Sequence, residues 1–591
     1  MGIAKANRVA AALVFVVASG LAAMGAAEDE LGSGPTLLTN PFLQMPTEDT
    51  VSVVWLTEYE GRRHTLHYGD GCSRSAQAET TELSRLVDAS GDEPRRRRVW
   101  RHEAVARGLE QGRRVPYYVT SYGADGRSAR SATFSLQPLP APGQEVRVLV
   151  TSDHQLMPNT HINLEMVERA IGRVDAVFVA GDLVNIPDNA EEWFERTDRG
   201  IGFFPALQGR ARRIDSSLNH DGGEIIQHAH LLPVIGNHEV MGRVLEETGF
   251  AAFGADRPRW YAEIAETQTG AADAHGEAAR TGSWNAVTYR EIFTLPDDGP
   301  AGENYYTIRY GDIHLTGLFL TRPWRARKFS EENPNDPERW TFGDFPYIAY
   351  GPGSAQYRWL EEVLTAEPAR SARIRYVMTH QASRGFGDNA MPLLTQPRAT
   401  FETESGDRLV IDYPLTEEEW RAEVAPLIGR LSSVRYDYPR EVDYWHTDIE
   451  PLLEQANVHI VHHGHSHLWY RGQLPGGSHI IESSNVGNSY GAYLPGYKQR
   501  GRFSWPKNEP REAYDMDNYS PAGDPYGLDP TMPSERPPMQ REGEALPTVD
   551  SNTLTVFTIL ESPSGELTSY VYDTERPELG VRVFDRFNAL E

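Results

Sequence analysis

Five short stretches each set Asp, Asn, His or Gln directly after an apolar run: Asp153 and Gln155 in TSDHQ, Asp182 in AGD, Asn237 and His238 in GNHE, His380 in MTH, and His465 and His467 in GHSH. Open sheets place ligands at the carboxyl ends of their strands, so five such ends can converge on one cleft. Carboxylate, imidazole and amide oxygen together suit a first-row divalent ion, and two ions about 4 Å apart need a carboxylate able to bridge them. Gly181, Gly236 and Gly464 remove side chains where the backbone must turn closely. A histidine after a strand, taken alone, is more often a hydrogen-bonded core residue. The order and number of the five stretches carry the reading, and the chemistry they point to is metal-assisted hydrolysis.

The elements that must position these residues follow from periodicity. VRVLVTSD (146 to 153) and DAVFVAGD (175 to 182) read as buried strands flanking a helix that carries Leu164, Val167 and Ile171. Further strands are expected at 231 to 237, at 305 to 320 as a hairpin turning at Gly311 and Asp312, and at 373 to 380, 458 to 465 and 478 to 483. SAQYRWLEEVL (354 to 364) reads as a helix with Ser354 as its N-cap and Trp359, Leu360 and Val363 on one face. Residues 35 to 138 alternate apolar and polar in short runs, the pattern of an antiparallel β-sandwich of about a hundred residues. The proline-rich stretch 137 to 145 suits an extended boundary, beyond which a second domain runs from 145 to 591. Long polar insertions are expected at about 186 to 228, 255 to 300, 324 to 352, 384 to 447 and 488 to 550, and TLTVFTIL with LTSYVYD reads as a closing hairpin. The expected class is α/β (α+β), with no internal repeat.

Lys5 and Arg8 precede an apolar stretch from Val9 to about Met24 that ends in Gly25, Ala26 and Ala27, the pattern of a signal peptide over residues 1 to 27. That apolar core is short for a bilayer span, and no other stretch approaches the length a spanning helix needs, so a secreted or periplasmic product with no membrane span in the mature chain is expected. Cys72 is the only cysteine, which leaves packing and bound metal, rather than disulfides, to stabilise the fold. Lys and Arg number 57 against 84 Asp and Glu, a formal charge of -27 that disfavours stable nucleic acid binding, since such binding depends on basic contacts with phosphate.

The ordered series D-x-Q, G-D, G-N-H-E, H and G-H-x-H resembles the calcineurin-like metallophosphoesterase superfamily, and the preceding sandwich resembles the fibronectin III-like N-terminal domain of purple acid phosphatases. The resemblance implies a β-sandwich flanked by helices (αββα) with two metal ions at its edge, divalent or mixed-valence Mn, Fe or Zn. Asp153, Gln155, His467 and the bridging Asp182 would hold the first ion, and Asp182, Asn237, His380 and His465 the second. His238 would lie over the substrate and protonate the leaving oxygen after attack by a metal-activated hydroxide, with Glu239 tuning or orienting it. The implied function is an exported phosphoric ester hydrolase acting on a phosphate ester. Two departures bear on this: Gln155 stands where many members have His, and Asn185 stands where purple acid phosphatases have a tyrosine ligand. The D-x-Q form resembles some nucleotide diphosphate hydrolases, so a phosphodiesterase or nucleotide pyrophosphatase is the alternative enzyme. A catalytically inert binding or adhesion protein is the alternative of another class.

Other residues take plainer readings. Alternation points His154 away from Asp153 and Gln155. His462 and His463 are expected beneath the GHSH turn. Arg95 to Arg98 with Arg101 reads as a solvated edge or interdomain contact, and Trp469 and Tyr470 as core or as a pocket wall.

Overall fold

A computed structural model of the chain describes residues 35–88, 95–240, 286–297, 299–321, 350–381, 384–386, 398–412, 422–437, 443–492, 530–541 and 543–591. The signal peptide expected over 1–27 lies outside them, as does much of the insertions expected at 255–300, 324–352 and 488–550.

The apolar runs that precede the candidate residues are strands of two sheets, in a mixed α/β architecture dominated by sheet. Val146–Thr151, Ala176–Val179 and His230–Pro233 are parallel neighbours in a ten-stranded sheet. Ile313–Gly317, Ile374–Met378, Ile460–His463 and His479–Ser483 run parallel through a six-stranded sheet, closed at its edges by Tyr306–Tyr310 and Trp469–Gln473. Parallel strands are covered on both faces, which is why they read as unbroken apolar runs. The sheets pack on each other, with Phe178 edge-on to Tyr376 at 5.3 Å between ring centres. Helix Thr160–Ile171 buries Leu164 and Val167 and is tied to the ten-stranded sheet by Asn163 Nδ2, which donates to the Val556 carbonyl at 2.9 Å. Ser354 caps helix Ala355–Thr365 by accepting from Tyr357 N at 3.1 Å. The hairpin expected at the end of the chain is present as Leu554–Ser562 and Glu566–Asp573, and a third strand, Arg582–Asn588, extends it.

Strands of residues 42–136 form the expected antiparallel pairs, and Trp100–Ala106 and Val115–Tyr122 alternate buried with half-buried residues along their length. Their core gathers Leu43, Val53, Trp55, Leu66, Tyr117, Val119 and Phe134. One of their two sheets does not end there: Phe42–Gln44 pairs with His230–Pro233 through Leu43 and His230, so the ten-stranded sheet runs from the C-terminal hairpin to the N-terminal strands. Stretch 137–145 is pinned as well, with Leu139 N donating to the Thr47 carbonyl at 2.8 Å and Gly143 N to Asp312 Oδ2 at 2.6 Å. The expected boundary therefore falls between parts that share a sheet.

Two insertions are more ordered than polarity suggests. Residues 186–228 hold short helices Ala190–Phe194, Phe203–Leu207 and Ala211–Ile214, which bury Trp193, Phe194, Phe203 and Phe204 in one aromatic cluster. Helices of four or five residues are too short to show a period, which is why the stretch reads as loop. Within 384–447, Arg408–Asp412, Arg398–Thr403 and Leu431–Asp437 form a three-stranded sheet. The arginine run makes edge pairs and one to the part of the chain beyond residue 145: Arg96 and Arg98 meet Glu82, and Arg97 meets Glu58, Asp88 and Glu195. Trp469 and Tyr470 are core residues with no exposed surface. No helix among the described residues is long and apolar enough to cross a membrane.

His64 and His102 stack at 3.5 Å between ring centres, and their four nitrogens meet Ser121 Oγ, the Glu60 carbonyl, Thr57 Oγ1 and Thr80 Oγ1. Burial, helped by His64 and Arg101, pushes His102 down to about 2. Above pH 6.5 this ring is neutral in both folded and unfolded chains; below it only the unfolded chain gains the proton, so stability is lost as pH falls. Replacing His102 by glutamine should flatten the stability-against-pH curve between pH 6 and 4 by about 1.4 kcal/mol per unit, measured by denaturant unfolding.

Candidate metal centre

The candidate residues meet at the carboxyl ends of five strands drawn from both sheets, and all are buried. Two groups of acidic and imidazole ligand atoms form there. Asp153, Asp182 and His467 make one, Asp182, His380 and His465 the other, and within each the atoms lie within 4.8 Å of one another. Asp182 belongs to both. His467 Nε2 lies 3.3 Å from Asp153 Oδ1, and His380 Nε2 lies 3.2 Å from Asp182 Oδ2, 2.8 Å from Asn237 Oδ1 and 3.1 Å from His465 Nδ1. Gln155 is brought in by its amide, whose Nε2 is 2.7 Å from Asp182 Oδ2.

The local backbone is bent to achieve this. Asp153, Gln155, Asp182, His465 and His467 have φ of 56°, 37°, 56°, 82° and 56°. Left-handed non-glycine residues are uncommon and cost roughly 1–3 kcal/mol each, so a cluster of them persists only where surrounding structure imposes it, and such clusters mark functional sites. The glycines clear the space. A Cβ on Gly181 would lie 2.8 Å from Gly236 Cα and from His380 Nδ1, and one on Gly464 would strike Ser152 Oγ and Asp153 Oδ2. Gly464→Ala should therefore displace Asp153 and weaken metal retention about 10-fold or more, the scale of a disturbed ligand support, as read by elemental analysis after dialysis.

Hydrogen bonds fix the rings from behind. His380 Nδ1 faces the Ala180 carbonyl at 2.7 Å and His467 Nδ1 the Asn488 carbonyl at 3.2 Å, which directs each Nε2 inward. Glu239, expected from the sequence to tune or orient His238, is engaged by backbone donors. Its oxygens accept from the backbone N–H groups of Asp182 (2.9 Å), Leu183 (2.8 Å) and Gly236 (2.8 Å), so it clamps two ligand-bearing turns together. The ring of His238 is oriented instead by the Asn185 carbonyl, 2.9 Å from Nδ1, with Nε2 3.6 Å from Asp182 Oδ2. A backbone carbonyl leaves no mark in sequence. His154 turns away to Thr151 Oγ1 at 3.0 Å, and His463 packs beneath the turn with Nε2 2.7 Å from Tyr470 OH.

Burial, opposed by Asp182, pushes His238 down to about 4, while at His380 burial, the largest single influence, is outweighed by Asp182, Asp153 and the Ala180 carbonyl together, which lift it to about 9. The donor set fits divalent ions. Two buried carboxylates, Asp153 and Asp182, converge there with the imidazoles of His380, His465 and His467, the oxygen and nitrogen donors a first-row divalent ion takes together.

No family model matches the chain, and no curated protein matches it. Among solved structures, the purple acid phosphatase PPD1 isolated from yellow lupin (Lupinus luteus) seeds is similar at 13% identity and a TM-score of 0.46, over 93% of this chain and 73% of that one. A structure of PhoD is similar at 14% identity and a TM-score of 0.42, over 94% and 93%.

Proposed function

We propose that the chain is an exported, metal-dependent phosphoric ester hydrolase of the calcineurin-like metallophosphoesterase superfamily, with a fibronectin III-like sandwich over residues 35–138 and the hydrolase domain from 145 onward. The observation that carries the proposal is the pair of buried Asp/His groups sharing Asp182. Asp153, Gln155, Asp182 and His467 would hold one ion, and Asp182, Asn237, His380 and His465 the other. Bound there, two divalent ions supply Lewis acidity toward a phosphoryl oxygen and a water of lowered pKa. The chain's own residues do the rest: Glu239 fixes the turns that present Asp182 and Asn237, and Asp153, its Oδ1 3.3 Å from His467 Nε2, supplies a second buried carboxylate beside Asp182. His238, its Nδ1–H held by the Asn185 carbonyl, has Nε2 on the side of Asp182; in the imidazolium form, which Asp182 favours against burial, Nε2 carries the proton it would pass to the departing oxygen.

The test is elemental analysis of the purified chain after exhaustive dialysis and reloading with Mn²⁺, Zn²⁺ or Fe²⁺, followed by assay of an aryl phosphate monoester and its bis-aryl diester. About two ions per chain with hydrolysis of either ester supports the proposal, and the preferred ester separates phosphatase from phosphodiesterase. A chain that retains no ion after reloading and cleaves neither ester is the inert binding protein.

A further inference from the structure

The carbonyl that orients His238 belongs to a loop, residues 183–189, that is held from beneath. Glu192, 3% exposed, accepts with one oxygen, Oε2, from the backbone N–H of Asn185 at 2.6 Å and of Ile186 at 2.7 Å. The peptide joining Asn185 to Ile186 is thereby fixed at both ends: its N–H, on Ile186, donates down to Glu192 Oε2 at 2.7 Å, and its carbonyl, on Asn185, points up to His238 Nδ1 at 2.9 Å. The same short helix closes the loop elsewhere. Trp193 Nε1 donates to the Pro187 carbonyl at 2.7 Å, and Asn189 caps the helix by accepting from Glu191 N at 3.2 Å. A third restraint comes from the N-terminal strands, where Arg85 pairs with Asp188 at 3.3 Å and Val87 N donates to the Asp188 carbonyl at 2.9 Å. Burying the Glu192 carboxylate beneath this loop is unfavourable unless it is hydrogen-bonded, and the two backbone N–H groups supply those bonds. A single oxygen shared by two successive N–H groups sets the direction of the peptide between them, and a peptide's carbonyl direction is what a histidine Nδ1–H reads.

We propose that Glu192 is a positioning residue for proton delivery: through the Asn185 peptide it sets the orientation of His238 and so the protonation of the ester's leaving oxygen. This rests on the phosphoesterase reading with His238 as proton donor. A leaving group such as 4-nitrophenolate departs without a proton, whereas an alkoxide needs one, so the ratio of alkyl to aryl phosphate hydrolysis reports proton delivery separately from metal-assisted attack.

The experiment compares metal-loaded wild type, His238→Ala, Glu192→Met, Glu192→Asp and Glu192→Gln on glycerol 2-phosphate and 4-nitrophenyl phosphate, with metal content and unfolding midpoint measured for each. Glu192→Met removes the acceptor oxygen. Glu192→Asp withdraws it by one methylene while keeping the charge, and serves where Glu192→Met does not fold. Glu192→Gln keeps an acceptor in place. The expected result is a fall in the alkyl-to-aryl ratio of about 10- to 100-fold in Glu192→Met or Glu192→Asp, in the direction of His238→Ala, with Glu192→Gln within about 3-fold of wild type and metal content unchanged in all three. An unchanged ratio in the displaced-oxygen variants, beside a lowered ratio in His238→Ala, overturns the positioning role and leaves the phosphoesterase reading standing. A wild type that hydrolyses neither ester overturns that reading instead.

Discussion

Asp182→Ala should lose both ions and, with them, phosphoester hydrolysis down to the uncatalysed background. Its carboxylate belongs to both ligand groups, it lies against His380 Nε2 and Gln155 Nε2, and it accepts from the backbone N–H of His238 at 3.0 Å. Removing it takes the shared anionic ligand from both groups at once, and the two imidazoles of the second group are left without a carboxylate. His238→Ala is the contrasting case. The ring lies beside the cluster without belonging to either ligand group, so about two ions per chain should remain, while turnover of an alkyl ester falls by roughly 10²- to 10⁴-fold, the range for loss of a general acid. Elemental analysis of the dialysed variants beside their kcat values decides it. Equal metal loss in both would mean that His238 is a ligand and that the roles have been exchanged.

Arg85→Ala should be strongly destabilising although it lies outside the site. Arg85 and Asp188 are buried together, their side chains 6% and 4% exposed, and Asp188 also accepts from Thr288 Oγ1 at 2.5 Å. Without the guanidinium, the carboxylate stays buried with a hydroxyl and no counter-charge, a situation that costs about 3–5 kcal/mol. Burial already pushes Asp188 up against the pull of Arg85, so the variant should recover part of its loss as pH is lowered and Asp188 protonates. Urea unfolding at pH 7 and pH 5 measures both. A loss under about 1 kcal/mol, the scale of an exposed pair, would show that the site relaxes to admit water.

The candidate site was readable in sequence because each ligand follows a fully buried strand, so an apolar run ending in Asp, Asn or His marks both the strand and its exit into the cleft. Gly181, Gly236 and Gly464 were readable for the same reason: each stands where a Cβ would meet a neighbouring turn or ligand. What escaped was carried by backbone atoms or by elements too short to have a period. The Asn185 carbonyl on His238 is one example, the backbone donors to Glu239 another. The pairing of Leu43 with His230, which joins the N-terminal strands to the central sheet, is a third, because nothing in either stretch names its partner. Residues 186–228 read as polar loop by periodicity, yet Trp193 and Phe194, and Phe203 and Phe204, are adjacent in sequence, and those paired aromatics are the signal of a buried cluster.

Strand Val146–Thr151, which delivers Asp153, has Ala176–Val179 on one side and Leu554–Ser562 on the other, with Val148 opposite Leu560. Every candidate ligand has left the ribosome by residue 467, yet this strand still has a bare edge until the last forty or so residues arrive. Such an edge is a template for pairing with other chains, and contacts this distant in sequence form slowly. A chain cut short before residue 554 would thus carry every candidate ligand and still be prone to aggregate through the uncovered edge of Val146–Thr151.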